Sequence, residues 1–168
     1  MKRRAFLGAA GAALASCVTP APEPSALEKF VRGLSPEYRA GQTMAIAFHG
    51  TQVTSAVEEM IRVRGVGGII LRAENALGRG DLGRICADLQ RIAVEAKVPR
   101  LFLALDQEGG SVARIAPTVF PSQMALAATP DPAAAIRRAA AITADELLEV
   151  GVNWNLAPVA EEIGRAHV

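Results

Sequence analysis

The residues best suited to chemistry in this sequence gather behind one apolar run. Leu101-Phe102-Leu103-Ala104-Leu105 leads into Asp106-Gln107-Glu108-Gly109-Gly110, and Arg114 follows in the same loop. A carboxylate placed there accepts hydroxyl hydrogens in charge-assisted bonds, while an arginine donates a planar fork of N–H groups. The paired glycines let the backbone turn tightly and let a ligand approach. Together these groups suit the positioning of a polar, hydroxyl-rich ligand. The same spacing also fits a plainer arrangement, in which Asp106 caps its own loop and takes Arg114 as an ion-pair partner. His49, Arg72, Asn75 and Pro158 follow other apolar runs. A lone histidine is more often a structural group than a ligand contact.

Those positions acquire meaning from the elements that must carry them. Met44 to Phe48, Gly68 to Leu71, Leu101 to Leu105 and Val152 to Ala157 read as short buried strands. Between them lie helical patterns. Val53, Val57, Met60 and Ile61 share one face, and so do Leu82, Ile85, Cys86, Leu89, Ile92 and Ala96. Ser35-Pro36 opens a short helix and Asp131-Pro132 a long alanine-rich one that Gly151 closes, while Asp81 is expected as the N-cap of the helix carrying Leu82. Strand and helix alternate without hairpin signals, which predicts parallel strands joined by right-handed crossovers. The Leu101–Leu105 run is apolar throughout, so it is expected to be covered on both faces, and Trp154 is expected in the core. In such folds ligands gather at the C-terminal ends of strands, where Asp106 stands.

Composition narrows the classes further. The chain has 168 residues, a net charge of +1, 51% hydrophobic and 4% aromatic residues. It therefore offers neither the basic surface nor the stacking platform that nucleic acid requires. It is also short of the roughly 250 residues of a complete eight-unit α/β barrel. Cysteine and histidine do not cluster, so no metal is expected, and no phosphate loop or serine elbow is present. Gly78-Arg79-Gly80-Asp81-Leu82-Gly83 matches a dinucleotide fingerprint in form. However, Arg72 to Leu77 separate it from the strand whose turn it would have to make, and Asp81 would repel a pyrophosphate. No cofactor is expected.

The two ends read as something other than fold. Residues 1–16 have the form of an export signal, in which Arg3-Arg4-Ala5-Phe6-Leu7 resembles a twin-arginine motif. Leu14-Ala15-Ser16-Cys17 resembles a lipobox, so Cys17 is expected to be lipidated and to tie the protein to a membrane on its periplasmic or cell-surface side. Residues 17–26, with prolines at 20, 22 and 24, then form a stiff tether. Ile163-Gly164-Arg165-Ala166-His167-Val168 corresponds to the translation of a common sequencing adapter. Residues 162–168 are accordingly expected to be read-through, and His167 is given no catalytic role.

The stretch Leu103-Ala104-Leu105-Asp106-Gln107-Glu108-Gly109-Gly110-Ser111-Val112-Ala113-Arg114 resembles the signature of family 3 glycoside hydrolases of the β-N-acetylhexosaminidase type. Four further stretches fall in matching order: Gly41-Gln42 with Phe48-His49-Gly50, Gly65 to Leu71, Phe120 to Leu126, and Gly151 to Val159. Where the family usually carries Arg and Asp, this chain has Ser111 and Glu161. The resemblance implies that residues 27–161 are the N-terminal half of a (β/α)8 TIM-type barrel, about four βα units with parallel strands. It implies a carbohydrate substrate, terminal β-linked N-acetylglucosamine in peptidoglycan fragments or chitin-type oligosaccharides. It also matches Asp106 and Arg114 to substrate-binding positions. The family's Lys-His pair, Gly-His-Gly loop and nucleophilic Asp have no counterpart here, so no catalytic residue is expected in this chain and the fragment alone is expected to be inactive. The alternative is a lipoprotein that binds cell-wall sugar through Asp106 and Arg114 without cleaving it.

Overall fold

The computed structural model describes residues 23–159 apart from 77, 116 and 117. The expected export signal, Cys17 and residues 162–168 lie outside the described residues. Two compact units divide at Gly33–Leu34. In the first, helix α1 (Ala26–Gly33) begins where the tether was expected to end. Ser25 and Glu28 form a reciprocal cap there: the Glu28 N–H donates to Ser25 Oγ at 3.2 Å and the Ser25 N–H to Glu28 Oε2 at 2.7 Å.

The second unit alternates strand and helix. Helix α2 (Pro36–Gln42) is followed by β1 (Ala45–Ala47), α3 (Ser55–Arg62), β2 (Gly68–Leu71) and α4 (Arg79–Glu95). Then come β3 (Phe102–Leu105), α5 (Gln123–Ala127), α6 (Pro132–Glu149) and β4 (Trp154–Asn155). Ser35, Thr54 and Asp131 cap α2, α3 and α6 through their side-chain oxygens. Asp81 does not cap α4: the helix starts earlier, after Gly78, and Asp81 instead accepts from Arg84 at 2.6 Å within the first turn. Helix α5 lies inside a segment expected to be loop. It is a single turn or so, capped by Ser122, too short for a periodic apolar signal.

The four strands form one parallel sheet in chain order, β1-β2-β3-β4. Consecutive parallel pairing with crossover helices is the architecture of a partial TIM-type barrel. Side chains alternate between the sheet's faces. One face puts Ile46, Ile69, Leu71, Leu103 and Leu105 into a core with Val57 and Ile61 of α3 and Leu82, Ile85, Cys86, Leu89 and Ile92 of α4. Packing at the start of β2 is tight: a Cβ on Gly67 would lie 2.2 Å from the Gln42 carbonyl oxygen, and one on Gly41 would lie 2.0 Å from that of Arg64. Both glycines let α2 rest against the segment entering β2.

The other face corrects two expectations. Registers Ala47↔Ile70↔Ala104↔Trp154 and Ala45↔Gly68↔Phe102 line it, and no described helix packs over it. Phe102 is 60% exposed and Trp154 44%, their rings meeting edge to face at 5.7 Å. β3 is thus covered fully on one side only, and Trp154 sits at the surface of that sheet rather than in the core. β4 is also shorter than the run from Val152 to Ala157, and Asn153 and Asn155 add side-chain bonds to β3 and the residues flanking it.

An uncovered apolar sheet face flanked by open strand edges promotes association. The 168-residue chain expressed alone is expected to self-associate in sedimentation velocity, and Phe102→Ser is expected to reduce this. A monodisperse monomer that unfolds cooperatively would contradict that expectation.

Candidate functional site

Asp106 follows the last residue of β3, half-buried, and alternation directs it to the face of Ala104 and Trp154. Its carboxylate makes no hydrogen bond and no ion pair within 4.0 Å among the described residues. Arg114 is likewise half-buried and in no ion pair, and its Nε is enclosed without an acceptor among the described residues. The ion pair that could have explained both residues structurally is therefore not formed. A buried donor without a partner is uncommon in folded proteins, and Tyr38 Oη is the other such group among the described residues.

The segment between them is held by its neighbours. Gln107 is 6% exposed and points to the helix side. Its Oε1 accepts from the backbone N–H of Arg114 at 2.7 Å and of Ile115 at 3.1 Å, and its Nε2 donates to the Ile115 carbonyl. The Asn155 amide grips the backbone of Gln107 from β4: Oδ1 accepts from the Gln107 N–H at 3.1 Å and Nδ2 donates to its carbonyl at 3.0 Å. Gly109 and Gly110 have φ of 87° and 60°, a conformation that disfavours other residues. They make the reversal that pairs Gly109 with Val112 and lets the Gly110 N–H donate to the Phe120 carbonyl at 2.9 Å. Gln123 Nε2 closes the loop by donating to the Glu108 carbonyl at 2.8 Å.

The two preceding strand ends are tied together by Asn75, which is fully buried. Its Oδ1 accepts from the Arg72 N–H at 2.7 Å, and its Nδ2 donates to the carbonyls of Phe48 and Gly50 at 3.2 and 2.5 Å. This places His49 and Arg72 on neighbouring loops, both exposed. His49 Nδ1 lies 2.9 Å from Glu74 Oε1 with its ring 85% exposed, the setting of a solvated surface pair.

Other features do not join this site. A cavity of about 240 Å³ opens on the helix side, lined by Gln107, Phe120, Leu126, Thr143, Leu147 and Pro158 among others, without Asp106 or Arg114. Side chains added at Gly78, Gly80 or Gly83 would meet open space, so these glycines do not serve the close backbone approaches of a dinucleotide turn. Burial pushes the Cys86 thiol up to about 11, which keeps it protonated and unreactive. Arg62 and then Arg91 hold the Glu95 carboxyl below the usual range in an exposed network joining α3 and α4. Among the described residues no three His, Cys, Asp or Glu side chains group as a metal site. The residue types at Asp106 and Arg114 were readable beforehand; Gln107, Asn75 and Asn155 were not assigned roles, although two asparagines flanking Trp154 in an apolar strand are a visible irregularity.

Comparison with known proteins gives a consistent picture. The model of the glycosyl hydrolase family 3 N-terminal domain matches residues 36–166. A β-hexosaminidase of Pseudomonas aeruginosa is 32% identical over 114 residues, which are 67% of this chain and 33% of that protein. The structure of a family 3 β-N-acetylglucosaminidase from Paenibacillus sp. str. FPU-7 superposes with a TM-score of 0.70 and 35% identity, covering 74% of this chain and 24% of that one. NagZ from Neisseria gonorrhoeae, solved with N-trifluoroacetyl-D-glucosamine, superposes with a TM-score of 0.58 and 25% identity over 68% of this chain and 35% of its own. The chain thus spans about a third of the length of the curated relative.

The Asn75 bridge makes a direct prediction. Asn75→Ala leaves the Arg72 N–H and the Phe48 and Gly50 carbonyls without their partner, and is expected to cost about 3 kcal/mol. Urea denaturation checks this, and a loss below about 1 kcal/mol would show that water replaces the amide.

Proposed function

This chain belongs to glycosyl hydrolase family 3, and from that premise we propose that it supplies the first four βα units and part of the sugar site of a β-N-acetylhexosaminidase. The substrate is terminal β-linked N-acetylglucosamine, in peptidoglycan fragments or chitin-type oligosaccharides. The observation that carries this reading is the Asp106 carboxylate at the end of β3 and the Arg114 side chain in the loop that Gln107 fastens to it, neither in an ion pair among the described residues. The β-hexosaminidase and the amino-sugar complex among the matched relatives support the same ligand class.

In this account Asp106 accepts hydrogens from sugar hydroxyls and Arg114 donates to sugar oxygens, which together orient the ring. Retaining hydrolysis needs an acid/base and a nucleophile separated by roughly 5–5.5 Å across the scissile bond. Asp106 is assigned to binding and not attack, because it matches a substrate-binding position of the family and not that of its nucleophile. The acid/base and nucleophile belong to a second half of the barrel, beyond this chain. Export by the twin-arginine-like signal and lipidation at Cys17 would place the enzyme where cell-wall glycans are met.

Two charge-assisted hydrogen bonds of about 1.5–3 kcal/mol each are at stake at Asp106. In the complete product of the gene, Asp106→Asn is expected to lower kcat/KM on an aryl N-acetyl-β-glucosaminide at least about 100-fold. Turnover within a factor of about three of the unaltered protein would sink the assignment of Asp106. Sugar binding by the unaltered protein without turnover would favour the non-catalytic binder instead.

A further inference from the structure

We infer that Gln107 is a positioning residue for the sugar site, anchored by Asn155, and that this pair sets the place of Arg114 relative to Asp106. The inference rests on the reading of Asp106 and Arg114 as sugar-binding. Gln107 is the residue after Asp106, and its side chain turns away from the site to the buried helix side. There it reaches back along the loop to the backbone N–H of Arg114 itself, at 2.7 Å, and to both backbone polar groups of Ile115. A single side chain therefore connects the strand end that bears the carboxylate to the backbone that bears the guanidinium.

The chemistry of that connection requires an amide. Two of its contacts need an acceptor and one needs a donor, so an apolar residue would leave three buried backbone groups unpaired and a carboxylate would face the Ile115 carbonyl with no proton to offer. The anchor has the same logic. The β3–β4 ladder ends where the Leu156 N–H donates to the Leu105 carbonyl at 3.0 Å, and the planar Asn155 amide then supplies one acceptor and one donor to Gln107 in place of backbone. Binding groups held by such locked supports keep the sub-ångström placement that orientation demands. The charged residues nearest along the loop are Asp106, Glu108 and Arg114. On the helix side, α6 lines the cavity that Gln107 shares with uncharged Ile136, Ala139, Ala140, Thr143, Ala144 and Leu147, and its Glu146 accepts from Thr118 Oγ1 farther along the loop.

The test is Gln107→Glu in the complete gene product, assayed for kcat/KM on an aryl N-acetyl-β-glucosaminide between pH 5 and 8, alongside near-UV circular dichroism of the fold. A protonated carboxyl reproduces the amide's donor and acceptors, and burial raises its pKa above the usual carboxylate range. Activity is expected to match the unaltered protein at the acid end. It is then expected to fall about tenfold further than the unaltered protein as pH rises and the introduced carboxyl ionises, with the dichroism unchanged. A profile parallel to that of the unaltered protein at every pH would overturn the inference and leave the sugar site standing. If the variant does not fold, amide hydrogen exchange in the unaltered protein decides: Arg114 and Ile115 should exchange as slowly as the buried amides of β3, and free exchange overturns the inference. Absence of both turnover and sugar binding in the unaltered protein would overturn the sugar-site reading and this inference with it.

Discussion

A strand that outruns its neighbour leaves backbone amides without a ladder partner, and in a parallel sheet this happens at the end where ligands bind. β3 meets the difficulty at the exit with the Asn155 side-chain amide, which bonds to both backbone groups of Gln107; at the start of the strand Asn153 does the same for the N–H of Leu103 and the carbonyl of Leu101. Gln107 in turn satisfies Arg114 and Ile115. The exit of β3, and with it the geometry of the site, hangs on this chain of amides from β4 to the loop. A buried amide lacking its partner would cost more than the bond contributes, so the set holds together as a unit.

The rest of the unit supplies a platform for that exit. Helices α3 and α4 cover one face of the sheet with aliphatic side chains, and the glycines at 41 and 67 admit close contact between α2 and the start of β2. Asn75 performs for the loops after β1 and β2 what Gln107 performs for the loop after β3. Polar side chains buried beside strand ends thus hold all three loops, while the face carrying Phe102 and Trp154 faces outward.

Much of this frame was legible in the sequence because it follows from periodicity. Val57 and Ile61, or Leu82, Ile85 and Leu89, declare their buried face by spacing alone, and Ser35, Asp131 and Gly151 mark helix ends by local chemistry. Asp81 misled because a capping residue type inside the first turn of a helix looks the same as one at its start. Trp154 misled because its burial depends on what faces the sheet, which no local pattern records. Asp106 and Arg114 were legible as types at a strand end. Gln107 and Asn155 were not, since their roles rest on bonds between segments distant in sequence, and a glutamine in a polar loop is ordinarily solvated.

The central claim is that Asp106 and Arg114, brought into one site by this frame, hold a sugar ring. The most direct measurement is a crystal structure of the complete gene product with N-acetylglucosamine. The account predicts the sugar at the C-terminal end of β3, with ring hydroxyls within hydrogen-bond distance of the Asp106 carboxylate and a sugar oxygen on the Arg114 guanidinium. A sugar seated in the helix-side cavity by Leu126 and Thr143, with Asp106 and Arg114 untouched, would contradict it.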